Sequence, residues 1–106
     1  MLIHGGTQGS AVGGSSHFAT QERLANEGWQ LLVPDRPGHG LSPARGCPDD
    51  AALDGEWAAS IVGDGAHLVG HSFGACVALA AAVKRLNRLE QSVSALVRSS
   101  QGSDAD

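Results

Sequence analysis

The segment His67-Leu68-Val69-Gly70-His71-Ser72-Phe73-Gly74 joins a short apolar run to an alanine-rich stretch. The run 67–69 is typical of a buried strand, and the stretch 73–88 is typical of a helix. Only a residue without a side chain leaves room for a strand and the following helix to approach closely. Gly70 and Gly74 therefore predict a very sharp strand-to-helix turn.

The residue at the centre of this turn is Ser72. A serine between two such glycines has a strained backbone, and its hydroxyl stands clear of the sheet at the positive end of a helix. The free backbone N–H of Phe73 then points towards any oxyanion formed at this place. The pattern Gly-x-Ser-x-Gly between a strand and a helix therefore predicts a nucleophilic serine.

Outward from this turn, short apolar runs alternate with helical patterns. The runs 1–3 and 31–33 predict two further strands, and a helix is predicted over 17–27, ended by Gly28. Another helix is predicted from Asp49 or Asp50 to about Val62. The alternation predicts an α/β fold in which a parallel sheet carries helices on both faces. We expect the strands in the spatial order second, first, third, numbered along the chain.

Several finer expectations follow from the same pattern. The spacing of Leu53, Trp57 and Ile61 predicts an apolar stripe on the helix that contains them. Residues 88–98 fit either an amphipathic helix or a fourth strand. We expect one partial domain over 1–98 and a polar, disordered tail over 99–106. Cys76 is expected to be a buried small residue.

Composition excludes several classes of protein. A net charge of −4 argues against an electrostatic nucleic-acid binder. No apolar run approaches the roughly 20 residues of a membrane span. No basic region precedes an apolar stretch at the N-terminus, as a secretory signal requires. Cys47 and Cys76 do not form a Cys-x-x-Cys motif, so they are expected to be free thiols of a cytoplasmic protein.

Three segments together resemble the α/β-hydrolase superfamily, in its serine-nucleophile branch. Leu2-Ile3-His4-Gly5-Gly6 resembles the strand and loop that supply an oxyanion donor. Asp35-Arg36-Pro37-Gly38-His39-Gly40-Leu41-Ser42 resembles the loop after the next strand, and GHSFGACVALAAA (70–82) resembles the nucleophile elbow. The resemblance implies part of a three-layer α/β sandwich with about three to four strands. It covers residues 1 to about 88.

The resemblance also implies roles for particular residues. Ser72 would be the nucleophile, and the backbone N–H groups of Gly6 and Phe73 would form the oxyanion hole. Gly70, His71 and Gly74 would shape the elbow. Asp35 and His39 would belong to a structural loop. The implied activity is hydrolysis of a small-molecule ester, another acyl compound or a carbon–carbon bond, with neither cofactor nor metal.

The acid and the histidine of the family's catalytic triad are not found. They follow the serine in family members, but no histidine follows Ser72 in these 106 residues. The later carboxylates Glu90, Asp104 and Asp106 do not lie in a family-like loop. We therefore expect an N-terminal and central fragment, inactive by itself, from a truncated or frameshifted reading frame.

Other functions stay open at this stage. A non-catalytic fragment or pseudo-enzyme would keep the fold without the chemistry, and a cofactor-free peroxidase-type relative would share the same serine. A phosphate or dinucleotide binder is disfavoured because GGTQGS lacks the lysine of a P-loop. A metal site at His67 and His71 is disfavoured because that spacing separates them by about 13 Å on a strand. The substrate and the oligomeric state are left open.

Overall fold

A computed structural model describes residues 1–6, 12–44, 46 and 48–86 of the chain. Strand β1 is Leu2–Ile3 and strand β2 is Val69–Gly70. Helix α1 is Gly14–His17, a 3₁₀ helix spans Ala19–Glu27, helix α2 is Ala51–Ile61, and helix α3 covers 73–86. The predictions for 88–98, the tail 99–106 and Cys47 lie outside the described residues.

The two strands form a parallel pair. Leu2 is opposite Val69 and Ile3 is opposite Gly70. The segment 31–33 lies on the other side of β1, because the N–H of Leu2 donates to the carbonyl of Leu32 at 2.9 Å. Successive residues of a strand direct their hydrogen bonds to opposite neighbours. The neighbours of β1 therefore follow the predicted spatial order.

The predicted number of strands is not confirmed. In the described part of the chain the sheet has two strands, and 31–33 runs beside β1 without forming a third. Pro34, which has no backbone N–H to donate, ends this segment. The predicted strand 67–69 is also shifted, since β2 begins at Val69.

Helix α2 begins and ends close to the predicted residues. The side chain of Asp50 accepts hydrogen bonds from the N–H groups of Ala52 and Leu53, which satisfies two free donors of the first turn. The predicted apolar stripe is wrong, because Leu53 and Ile61 are 43% and 42% exposed and Trp57 is only half-buried. The buried face instead carries small residues and one carboxylate: Asp54, Gly55, Ala58 and Ala59.

A close crossing of α2 and α3 explains this choice of face. A Cβ atom on Gly55 would lie only 2.5 Å from Cβ of Ala80 and 3.1 Å from its backbone carbon. Such proximity requires a residue without a side chain at Gly55. Large apolar residues such as Leu53 are therefore turned away from α3.

The predicted helix 17–27 is divided in the structure. Helix α1 starts earlier, at Gly14, and a break at Phe18 separates it from the 3₁₀ helix. No residue of the 3₁₀ helix is buried, so no apolar face holds it in α-helical geometry. Its end is as predicted, at Gly28 with a left-handed φ of 92°.

The described core is small and joins β1 to both long helices. It contains Ile3, Ala58, Ala59, Val77 and Ala81. The expectation for Cys76 is wrong, because this thiol is exposed on α3. Burial of Gly74, Val77 and Ala81 identifies the opposite side of the helix as the one that packs inwards. No helix in the described residues has the length and apolarity to cross a membrane.

Candidate active site

The turn between β2 and α3 has the strained geometry that the sequence predicts. Ser72 has a φ of 58°, and no other non-glycine residue in the described part of the chain has a positive φ. A left-handed conformation costs an L-residue roughly 1–2 kcal/mol relative to the ordinary helical one. Two backbone hydrogen bonds of 2.9 Å close the turn. The N–H of Gly74 donates to the carbonyl oxygen of His71, and the N–H of Ala75 donates to the carbonyl oxygen of Ser72. Ser72 is thus held exposed at the first turn of α3.

The two glycines of the turn occupy positions that admit no side chain. A Cβ atom on Gly70 would lie 2.6 Å from Cα of Ala75 and overlap the carbonyl of Gly74. A Cβ atom on Gly74 would overlap the carbonyl of Ile3 and lie 2.7 Å from the carbonyl oxygen of His4. Gly70 thus lets the strand meet the helix, and Gly74 lets the helix rest on β1.

The loop after β1 packs directly against this turn. A Cβ atom on Gly5 would lie 2.9 Å from Cβ of Ser72 and 3.2 Å from the backbone nitrogen of Phe73. Gly6 follows with a φ of 102°, a conformation that favours glycine. The structure therefore brings together the two segments that carry Ser72, Phe73 and Gly6.

His4 controls the direction of the peptide group between Gly5 and Gly6. The backbone N–H of Arg36 donates to His4 Nε2 at 2.9 Å, so the proton of the neutral ring resides on Nδ1. His4 Nδ1 lies 2.6 Å from the carbonyl oxygen of Gly5 and donates to it. In a trans peptide the C=O and N–H groups point in opposite directions. The N–H of Gly6 therefore points away from the His4 ring.

Burial keeps His4 neutral. The side chain is fully buried, and desolvation lowers its pKa, assisted by the positive charge of Arg36 and opposed by the hydrogen bond to Gly5. Two further histidines contact the ring: His17 stacks on it and His39 meets it edge to face, each with ring centres 5.1 Å apart.

Asp35 ties the loop 35–42 to the start of α1. Its carboxylate accepts from the N–H of Gly14 at 2.7 Å and of Leu41 at 3.0 Å. These two backbone hydrogen bonds lower the pKa of the Asp35 carboxyl, and the one from Leu41 has the larger effect. The hydroxyl of Ser42 donates to Asp35 O at 2.6 Å. These partners belong to the loop and to α1, which agrees with the structural role implied for Asp35.

His39 is fully buried beside Arg36. Its Nε2 lies 3.2 Å from a guanidinium nitrogen of Arg36, and its Nδ1 lies 3.4 Å from the carbonyl of Pro37. Desolvation and the charge of Arg36 lower the pKa of His39. The ring thus accepts a hydrogen bond from Arg36 and donates towards Pro37, again in a structural role.

Arg36 is a residue that the sequence reasoning did not single out. Its guanidinium is fully buried and is bonded to the carboxylate of Asp54 on α2 at 2.8 Å. It also donates through Nε to the carbonyl of His4 at 2.9 Å, and its central carbon lies 4.7 Å from the centre of the Phe73 ring. The one available signal was Asp54, a carboxylate that shares a helical face with Ala58.

No described side chain forms a hydrogen bond with Ser72 Oγ. His71 is exposed next to it in the turn, and His67 contacts Trp29 with ring centres 5.4 Å apart. Within the described residues, no group of three or more His, Cys, Asp or Glu side chains is arranged to hold a metal ion. The described residues therefore place backbone amide groups next to Ser72, but none of their side chains is bonded to the serine hydroxyl as a base.

A known protein family matches most of the chain. The sequence profile of the alpha/beta hydrolase family matches residues 1–100. No curated protein and no solved structure is significantly similar to the chain. The matched range includes the loop after β1, the loop 35–42 and the turn at Ser72. The chain belongs to the alpha/beta hydrolase family.

Proposed function

We propose that this chain carries the nucleophile and the oxyanion hole of a serine hydrolase that acts on small-molecule esters or related acyl compounds. The observation that carries the proposal is the positive φ of Ser72 at the start of α3, with Gly5 packed against it. A backbone so strained persists only where surrounding structure holds it, and such residues cluster at active sites.

In the proposed reaction, Ser72 Oγ attacks the acyl carbonyl and loses its proton to a base. The carbonyl oxygen becomes an oxyanion, which accepts hydrogen bonds from the N–H groups of Gly6 and Phe73. The leaving group departs with a proton, and water then hydrolyses the acyl-serine. One oxyanion donor is typically worth about 2.7–4 kcal/mol of transition-state stabilisation.

The base is the component that these residues do not supply. No histidine follows Ser72 in the sequence, and no described side chain is bonded to its hydroxyl. Losing the histidine of such an assembly costs on the order of 10⁶ in turnover rate. We therefore propose that the 106 residues by themselves react slowly, and that a base added in solution accelerates Ser72.

A fluorophosphonate probe tests this proposal. Ser72 Oγ would bond to phosphorus, fluoride would leave, and the serine proton would pass to buffer or to added imidazole. Peptide mapping by mass spectrometry is expected to find the adduct on Ser72, and Ser72→Ala is expected to abolish it. Adduct on other serines at the same rate in both proteins would refute the proposal.

A non-catalytic role is the second candidate. It is favoured by the same observation that Ser72 Oγ has no hydrogen-bonded base among the described side chains. A protein of this kind would keep the turn and the packed loop but would leave Ser72 unreactive even with imidazole. The fluorophosphonate experiment distinguishes the two roles directly.

A further inference from the structure

Arg36 connects the end of β1, the loop 35–42, helix α2 and helix α3. Its guanidinium is inaccessible to solvent, as is the carboxylate of Asp54 that pairs with it. Asp49 adds a second negative charge 3.6 Å from the same guanidinium nitrogen. Burying a charge is costly unless it is paired and its donors are satisfied. This arrangement meets that requirement with hydrogen bonds to Asp54, His39 and His4.

The same residue contacts the parts of the molecule that hold both proposed oxyanion donors. Its Nε donates to the carbonyl of His4, one residue before Gly5, and its backbone N–H donates to the His4 ring. Its guanidinium carbon lies 4.7 Å from the centre of the Phe73 ring. One donor belongs to Gly6 and the other to Phe73, so a single buried side chain contacts both of the segments that carry them.

We propose that Arg36 is a positioning residue that fixes the relative placement of the Gly6 and Phe73 amide groups. The inference rests on the proposed function, since it assigns a purpose to those amides. Arg36 acts through other groups and does not itself touch the reacting atoms.

Arg36 restrains the two amide groups by different contacts. On the β1 side, the Nε bond fixes the carbonyl of His4, and the backbone N–H selects the ring tautomer that holds the carbonyl of Gly5. On the α3 side, a cation over an aromatic face is attracted by the ring and resists its displacement. Phe73 is the first residue of α3, so restraint of its side chain restrains its backbone N–H.

The requirement is for arginine and not simply for a positive charge. A guanidinium is planar and presents donors in a fixed fork, so it can bond to His4, Asp54 and His39 while its carbon lies over the Phe73 ring. A lysine ammonium is a compact point charge on a flexible stem. It would keep the ion pair with Asp54 but could not hold the other contacts at the same time.

The test compares the wild-type chain with Arg36→Lys and with Arg23→Lys as a matched control. Arg23 is exposed on the 3₁₀ helix, and its side chain forms no hydrogen bond or ion pair with another described residue. Two quantities are measured: fluorophosphonate inactivation with imidazole, separated into kinact and KI, and the ¹H–¹⁵N resonances of Gly6 and Phe73. Circular dichroism verifies that each variant is folded.

We expect Arg36→Lys to lower kinact roughly 10- to 100-fold with little change in KI, because misplaced catalytic groups slow the chemical step. The amide resonances of Gly6 and Phe73 should move in Arg36→Lys, whereas Arg23→Lys should change neither kinact nor these resonances. A purely structural role would reduce the fraction of folded protein and leave kinact of that fraction unchanged. Folded Arg36→Lys with wild-type kinact and wild-type amide resonances would overturn the inference.

A second variant keeps the test decisive if Arg36→Lys does not fold. Asp54→Asn keeps the guanidinium but removes the closest charge that holds it, so the guanidinium is expected to move away from its contacts with His4 and Phe73. The same two measurements are made. A shift of both amide resonances supports the inference, and unchanged resonances refute it. If wild-type Ser72 is unreactive with imidazole, the proposed function fails, while the amide resonances still decide whether Arg36 positions these groups.

Discussion

The backbone N–H of Arg36 donates to Nε2 of His4 at 2.9 Å, and this bond determines which nitrogen of the ring carries the proton. The proton on Nδ1 is then available to the carbonyl of Gly5. A main-chain group in one loop thereby sets the orientation of a peptide group in another. Because the donor belongs to the backbone, substitution of the Arg36 side chain leaves this bond chemically intact, and the ring can be tested separately.

Replacement of His4 tests this arrangement. His4→Phe keeps a ring but removes the donor to Gly5, so the Gly6 amide loses its fixed direction. We expect kinact for fluorophosphonate with imidazole to fall about 10²-fold, the typical effect of losing one oxyanion donor.

His4→Asn is the matched control for that experiment. The asparagine amide nitrogen can occupy a position similar to Nδ1 and can still donate to Gly5 O. We expect this variant to retain more of the wild-type kinact than His4→Phe. Equal rates for His4→Phe and the wild-type chain would show that the ring does not orient the Gly6 amide.

The stability of the fold should depend on pH through His4 and His39. Burial lowers the pKa of both rings below the ordinary value of 6.5, so between the two values the unfolded chain binds more protons than the folded one. The contribution of the two rings to stability is therefore complete above about pH 6.5 and declines as pH falls through that value towards the folded pKa values.

Urea unfolding between about pH 8 and pH 5 measures this dependence. The slope is at most about 1.4 kcal/mol per pH unit for each histidine. His4→Asn should reduce the slope, because one of the two rings is removed. The contribution of Asp35, whose pKa is lowered from 3.8, should be lost only in more acidic solution. A free energy of unfolding that does not change over this range would contradict the burial of neutral rings.

The backbone strain at Ser72 predicts a gain in stability when the serine is replaced by glycine. A glycine at position 72 adopts the observed φ of 58° without a steric penalty. An alanine at the same position keeps the penalty, because it has a Cβ atom. Both variants lack the hydroxyl, so their comparison isolates the backbone. We expect Ser72→Gly to be more stable than Ser72→Ala by about 1 kcal/mol in urea unfolding. Equal stability of the two variants would mean that the turn is not strained in solution.

Substitution of Gly70 or Gly74, the two glycines that flank the turn at Ser72, should lower the stability of the fold. A methyl group at Gly70 or Gly74 would overlap backbone carbonyl atoms that cannot move independently of the strand and helix. Gly70→Ala and Gly74→Ala should each cost about 3 kcal/mol or prevent folding.

Gly63→Ala is the control for these two substitutions. Nothing lies within 4 Å of a Cβ atom at Gly63, and its φ is not in the left-handed region. Its free energy of unfolding should stay within about 0.5 kcal/mol of the wild-type value. A tolerated Gly74→Ala would contradict the close contact between α3 and β1.

Local signals in the sequence were sufficient for the turn, for the start of α2 and for the end of the 3₁₀ helix. Gly70, Ser72 and Gly74 specify their geometry within five residues, and Asp50 and Gly28 act on backbone groups in adjacent turns. These features depend on the chemistry of neighbouring residues, which a single sequence displays.

Tertiary packing determined the features that the sequence did not predict. The stripe of Leu53 and Ile61 has a helical spacing, yet the close crossing at Gly55 turns the small-residue face of α2 inwards. Arg36 and Asp54 are 18 residues apart, and apart from the helical face that Asp54 shares with Ala58 nothing in their local sequence indicates that both are buried. The local sequence also gives no sign that a backbone amide 32 residues away selects the tautomer of His4.

The reaction of Ser72 with a fluorophosphonate, followed over time by intact mass at increasing imidazole concentration, tests the central claim most directly. We predict one phosphonyl group per chain, mapped to Ser72, with a rate that rises with imidazole and a complete loss of the adduct in Ser72→Ala. An unmodified Ser72 at every imidazole concentration, in a chain shown to be folded, would contradict the assignment of this serine as a nucleophile.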